Sequence, residues 1–96
     1  MSLHEQLLKR FRERFREGKN DFVNSQTIQD YAHEHFRSKD GTQFKHETVG
    51  RRLRKMAEGK EIERKIIDGK NTESVFYRYI PDEKEIISVM MKNENR

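Results

Sequence analysis

The chain has 96 residues, with 21 Lys+Arg against 17 Asp+Glu and no cysteine. That length suits one small domain. The missing cysteine excludes disulfides, thiolate zinc sites and cysteine nucleophiles, and no apolar run approaches the roughly 20 residues of a membrane-spanning helix. Only 31% of the residues are hydrophobic, so the core must be thin. The apolar residues nevertheless recur at helix and strand spacings, which argues against disorder. The N-terminus lacks the apolar stretch of a secretion signal. A soluble, cytoplasmic protein, nucleoid-associated if cellular, is expected.

Residues 3–17 read as an amphipathic helix, with Leu3, Leu7, Leu8, Phe11 and Phe15 as its stripe. Ser2 is the expected N-cap, with Glu5 three residues on, and Gly18 ends the helix. Arg10, Arg12, Arg14 and Arg16 leave the stripe for solvent. They make either a solvated scaffold face or a surface for phosphates or lipid headgroups. Phe22-Val23 is a strand fragment. Asn24 or Ser25 caps a second helix over about 26–36, whose apolar positions are Ile28, Tyr31, Ala32 and Phe36. A polar turn over 37–43 centres on Asp40-Gly41.

The third helix spans about 45–58. Val49, Leu53, Met56 and Ala57 fall on one side, and Glu47, Thr48, Arg51, Arg54 and Lys55 on the other, with Arg52 on the flank. Gly59 is placed where a left-handed C′ residue belongs. Ile62–Ile67 and Val75–Ile80 are strand-like, joined by a loop around Asp68-Gly69. Val75, Tyr77 and Tyr79 share one face and Phe76, Arg78 and Ile80 the other. Pro81 ends the strand, and residues 82–91 make a last helix edged by Ile86, Ile87, Met90 and Met91. No repeat or linker divides the chain, so residues 1–96 form one domain with its core in 22–80.

The charge is uneven. Residues 45–60 carry six cations and two anions, and residues 1–19 six cations and three anions, so the cationic excess sits on two helices. That suits a surface for a polyanion. The order helix, helix, turn, helix, hairpin resembles the winged helix-turn-helix superfamily. The segments Glu47-Thr48-Val49-x-Arg51-Arg52-Leu53-Arg54, Gly59-x-x-Ile62-Glu63-Arg64 and Val75-Phe76-Tyr77-Arg78-Tyr79 are similar to those of small archaeal, phage and bacterial regulators. The resemblance implies a mainly α fold with a small antiparallel β-hairpin. It also implies a third helix in the major groove of double-stranded DNA and a wing on the backbone. Thr48, Arg51, Arg52 and Lys55 then stand where such helices read DNA, and Lys70 and Asn71 at the wing tip. Lys45 and His46, at the helix start, complete the candidate DNA-binding set. Three features depart from the family pattern: a long turn before the third helix, Lys45 as a weak N-cap, and Gly50 within the helix.

The chemistry of the third helix stands apart from that resemblance. Arg can donate two parallel hydrogen bonds to guanine, whereas Lys meets phosphate as a point charge. The rival reading of this face is a solvated charged helix. Phe76, Tyr77 and Tyr79 read as core residues before they read as a base-stacking platform. His33 and His35 point in opposed directions on a helix, and His4 and His46 lie elsewhere, so no metal is expected. No phosphate loop, nucleophile–base pair or carboxylate cluster marks an enzyme. The reading is a transcription regulator, with no cofactor and no evident small-molecule ligand. The apolar stripes at 3–15 or 86–91 would supply a homodimer interface. The alternatives are a protein-interaction adaptor and a double-stranded RNA binder.

Overall fold

Four helices and three strands follow one another in the computed structural model, which describes residues 1–69 and 73–94. They are α1 (Leu3–Arg16), β1 (Val23–Asn24), α2 (Ser25–His35), α3 (His46–Glu58), β2 (Ile62–Asp68), β3 (Glu73–Tyr79) and α4 (Glu83–Glu94). The architecture is mainly helical with a small antiparallel sheet of order β1-β3-β2. Lys70 and Asn71, the expected wing-tip contacts, lie outside the described residues.

Local chemistry sets the helix starts. Ser2 and Glu5 exchange side-chain and backbone hydrogen bonds in a capping box at α1. Those bonds hold the Glu5 carboxyl below its usual pKa, the backbone N–H of Ser2 foremost. Asn24 Oδ1 accepts from the Gln26 N–H, 2.8 Å away, at α2. At α4 the Glu85 N–H donates to Asp82 Oδ1 (2.8 Å) and the Asp82 N–H to Glu85 Oε1 (3.3 Å), a second reciprocal cap. Lys45 caps α3 without a side-chain bond.

Two helices end in the same hydrogen-bond pattern with different residues. After α1, Gly18 takes the left-handed C′ position at φ +81°. Its N–H reaches Phe15 O, and the Lys19 N–H reaches Arg14 O. After α3 the corresponding bonds run from Lys60 to Ala57 O and from Glu61 to Met56 O. The left-handed residue there is Lys60, at φ 60°. Gly59 is the C-cap, at φ −79°. The expectation for Gly59 is therefore off by one position, because the cap geometry counts from the last helical hydrogen bond and not from the nearest glycine.

The core is built from one stripe of each larger element. Leu3, Leu7 and Phe11 of α1, Ala32 of α2, and Val49, Leu53 and Met56 of α3 are buried with Ile62, Tyr77 and Tyr79 of the sheet. Register explains the last three: Ile62 faces Tyr79 and Arg64 faces Tyr77 across β2–β3, so alternate residues share the core side. Beyond Ile62 every residue of β2 is exposed, and the hairpin runs out from the body. β1 adds only two pairs, Val23 with Tyr77 and Asn24 with Phe76. Phe22, expected in that strand, precedes it and lies against the sheet under Arg78 and Lys65, whose charged atoms stand 4.4 and 5.2 Å from its ring centre.

The long connection between α2 and α3 is held by hydrogen bonds at its centre and to its neighbours α1 and α2. Ser38, Asp40 and Thr42 bond one another around Gly41, which adopts φ +82°. The Ser38 hydroxyl, with that of Thr42, holds the Asp40 carboxyl below the usual carboxylate range. Gln6 of α1 donates to Arg37 O at 2.9 Å, tying the end of α2 to α1. No helix among the described residues is long and apolar enough to cross a membrane.

Candidate nucleic-acid interface

α3 presents Thr48, Arg51, Arg54 and Lys55 to solvent while Val49 and Leu53 are fully buried on the opposite side. The 3.6-residue period separates the two faces. No described carboxylate forms an ion pair with Arg51, Arg52, Arg54 or Lys55. Several cations of α1 and the sheet are engaged by other groups of the chain. Arg14 reaches Asp21 at 2.9 Å, Arg78 reaches Glu63 at 2.9 Å, and Arg12 donates to the Tyr79 hydroxyl at 3.0 Å. Arg10 lies 5.1 Å over the Tyr31 ring. Arg10, Arg12 and Arg14 are thus partly engaged within the chain, where the helical period alone directs them to solvent.

The expected contacts do not form one cluster. Thr48, Arg51, Arg52 and Lys55 line an open groove whose other wall is Ser2, Leu3 and His4 at the start of α1, with Phe44. The first-turn N–H groups of α1 add partial positive charge on that side. His4 is held by Glu61, Nε2 to Oε2 3.1 Å. Lys45 is exposed but lies outside this groove. His46 turns toward α2, its Nε2 donating to Asp30 Oδ1 at 2.9 Å and its ring tilted by 31° against that of His33, 4.6 Å between centres. His33 Nδ1 carries the proton that it donates to Phe44 O, since a carbonyl can only accept. The His46 ring therefore serves the α2–α3 junction. The Asp30 carboxyl is held below the usual range by its hydrogen bonds from Gln26 and His46.

A second concavity on the other flank of α3 holds two cations absent from the expected set. Arg54 of α3 and Arg64 of β2 face it, with Ser25 and Gln29 of α2 and with Tyr77 beneath. Burial raises the Tyr77 hydroxyl pKa, against the opposing pull of Arg64 and Arg54. Gly50 belongs to this wall. A Cβ there would stand 3.2 Å from Gln29 Nε2, which is itself bonded to Ser25 Oγ at 3.0 Å. The glycine lets the Gln29 side chain lie against α3. The outward position of Arg54 is visible in the helical period, whereas Arg64 needed the hairpin register that sets it opposite Tyr77.

No group of three His, Asp or Glu among the described residues is arranged to hold a metal ion. No protein-family model, curated protein or solved structure matches the chain.

Proposed function

We propose that the protein is a winged helix-turn-helix, sequence-specific binder of double-stranded DNA, acting as a transcription regulator. The observation that carries this reading is the exposed face of α3, where Arg51, Arg54 and Lys55 stand without a carboxylate partner among the described residues, beside a hairpin bearing Arg64. Cations on an exposed helix face cost little in water and gain strongly from phosphate, through counterion release. The element order and the β1-β3-β2 sheet support the winged-helix part of the reading. In it α3 enters the major groove, the start of α1 and the hairpin flank it on the backbone, and Arg51 and Arg54 are the readers of base edges.

The test is binding of random duplex DNA at two salt concentrations, followed by selection of preferred sites. Affinity that falls steeply with salt, together with an enriched site, supports the reading. Binding no tighter than that of a neutral protein at low salt rejects it. Preference for duplex RNA over DNA would move the function to RNA.

One observation favours protein contact as a second role. α4 leaves Ile86, Ile87, Met90 and Met91 43–57% exposed, a costly arrangement for a chain so poor in apolar residues. We read this edge as the seat of a homodimer, which would match a two-fold operator.

A further inference from the structure

We propose that the apolar dent between α1 and α2 is a binding site for a small aromatic carboxylate. The site lies on the side of α2 away from α3, and the sequence pattern alone did not disclose it. Leu7 and Phe11 of α1 meet Val23 and Ile28 at its floor, and Phe36 closes one end. Its volume is about 90 Å³. That is about three fifths of the roughly 150 Å³ apolar cavity that takes up benzene, so a ring seated in this open dent is only partly enclosed.

The mouth has a different character from the floor. Tyr31 is 38% exposed, a large side chain left at the rim. It is nonetheless held in place, edge-on to Phe36 at 5.7 Å and beside the His35 ring at 4.4 Å. Arg10 and Arg14, one helical turn apart on α1, stand on the same rim. Arg10 lies over the Tyr31 ring and makes a long contact to Glu13, at 3.7 Å. Arg14 already holds one carboxylate, that of Asp21, with Nη2 2.9 Å from Oδ1. A guanidinium has five N–H donors in a fixed fork, so both arginines retain donors for a second carboxylate.

Size and charge together select the ligand class. The floor residues are apolar, the exposed Thr27 adds a hydroxyl at the mouth, and the rim offers two cations. A cationic ring is repelled, a neutral ring forfeits the rim, and acetate forfeits the floor. A peptide helix is too broad for a dent of this volume. Because α2 forms one wall of the dent and packs on α3 with its other side, occupancy would be felt at α3. That consequence rests on the DNA reading, whereas binding itself does not.

The test is an NMR titration of the full chain with sodium benzoate at constant ionic strength, with benzyl alcohol, benzylamine and acetate as comparators. Benzoate should move the amide signals of residues 7–14 and 27–31 and bind at least about tenfold more tightly than any comparator, as paired charge-assisted bonds allow. The double variant R10Q/R14Q should lose that advantage while melting near the parent temperature. Thr27→Phe, which places the protein's own ring at the mouth, should abolish binding and leave the fold intact. The proposal is overturned if benzoate binds no better than acetate or benzyl alcohol. Signals that move chiefly at Arg51, Arg54 and Lys55, or either variant binding benzoate like the parent, would equally overturn it. Each of these outcomes is read without DNA, so it is separable from failure of the DNA reading.

Discussion

At the scale of single residues, the end of α3 carries a correctable strain. Lys60 occupies the left-handed region at φ 60°, which L side chains enter at a cost of roughly 1–2 kcal/mol. Gly59, its neighbour, sits at an ordinary φ of −79°. Lys60→Gly should therefore stabilise the protein by about 1 kcal/mol, after allowing for the greater freedom of glycine in the unfolded chain. Gly59→Ala should not destabilise it, because the added Cβ meets nothing nearer than Lys55 O at 3.5 Å. Urea unfolding of both variants checks this pair, with an unchanged m-value as the sign that only stability moved. A loss of stability in Lys60→Gly would mean that the Lys side chain contributes more than its backbone costs.

At the scale of elements, two predictions concern α3. The first is about its seat on α2. Asp30 accepts from Gln26 and His46, and its carboxyl is held below its unfolded value of about 3.9. A depressed folded-state pKa contributes stability that is fully present above pH ~4 and is lost as pH falls through the folded value. Asp30→Asn should therefore flatten the acid side of the stability curve below pH ~4. Part of the slope should remain, since Glu5 and Asp40 are depressed in the same direction. Urea midpoints at pH 7 and pH 3 measure it. The second prediction is about reading and holding. Arg51→Ala should lose about 1–3 kcal/mol at the preferred DNA site and relax its sequence preference. Arg64→Ala, on the hairpin, should weaken all sequences about equally and reduce the salt slope by about one. Both should melt like the parent, as both side chains are exposed. If only the hairpin variant loses affinity, the wing is the main contact and α3 is not the reader.

At the scale of the molecule, α4 stands apart from the core. None of the buried core residues belongs to it. It is moored at its first turn, where the Tyr79 hydroxyl donates to Glu85 Oε1 at 2.5 Å and accepts from Arg12. Burial, then the bond to Glu85, raises the Tyr79 pKa, so that link stays protonated at neutral pH. Truncation after Pro81 should leave residues 1–81 folded, at a cost of roughly 1–2 kcal/mol for the lost hydrogen bond. Light scattering should find a dimer for the full chain and a monomer for the truncation. A full-length monomer at high concentration would remove the homodimer reading. Leu53→Ala, at a fully buried position near the middle of the core, should cost about 2–5 kcal/mol, a large part of the total for so small a domain.

The sequence by itself determined what depends on local periods and caps. The capping box of Ser2 and Glu5, the buried stripes of α1 and α3, the breaks at Gly18 and Pro81, and the shared face of Tyr77 and Tyr79 all follow from side-chain direction within one element. Tertiary structure alone decided what depends on residues distant in the chain. Val23 and Asn24 become a strand because β3 offers them an edge; two residues carry no period of their own. His46 turns along the surface toward α2 because Asp30 accepts its hydrogen bond and the His33 ring lies beside it. Arg54 and Arg64 meet across Tyr77 through the hairpin register, and Arg10 and Arg14 gather over a dent whose floor comes from two helices and a strand. Side-chain periodicity tells which way a residue points from its own backbone. What it points at is set by packing, which no single segment contains.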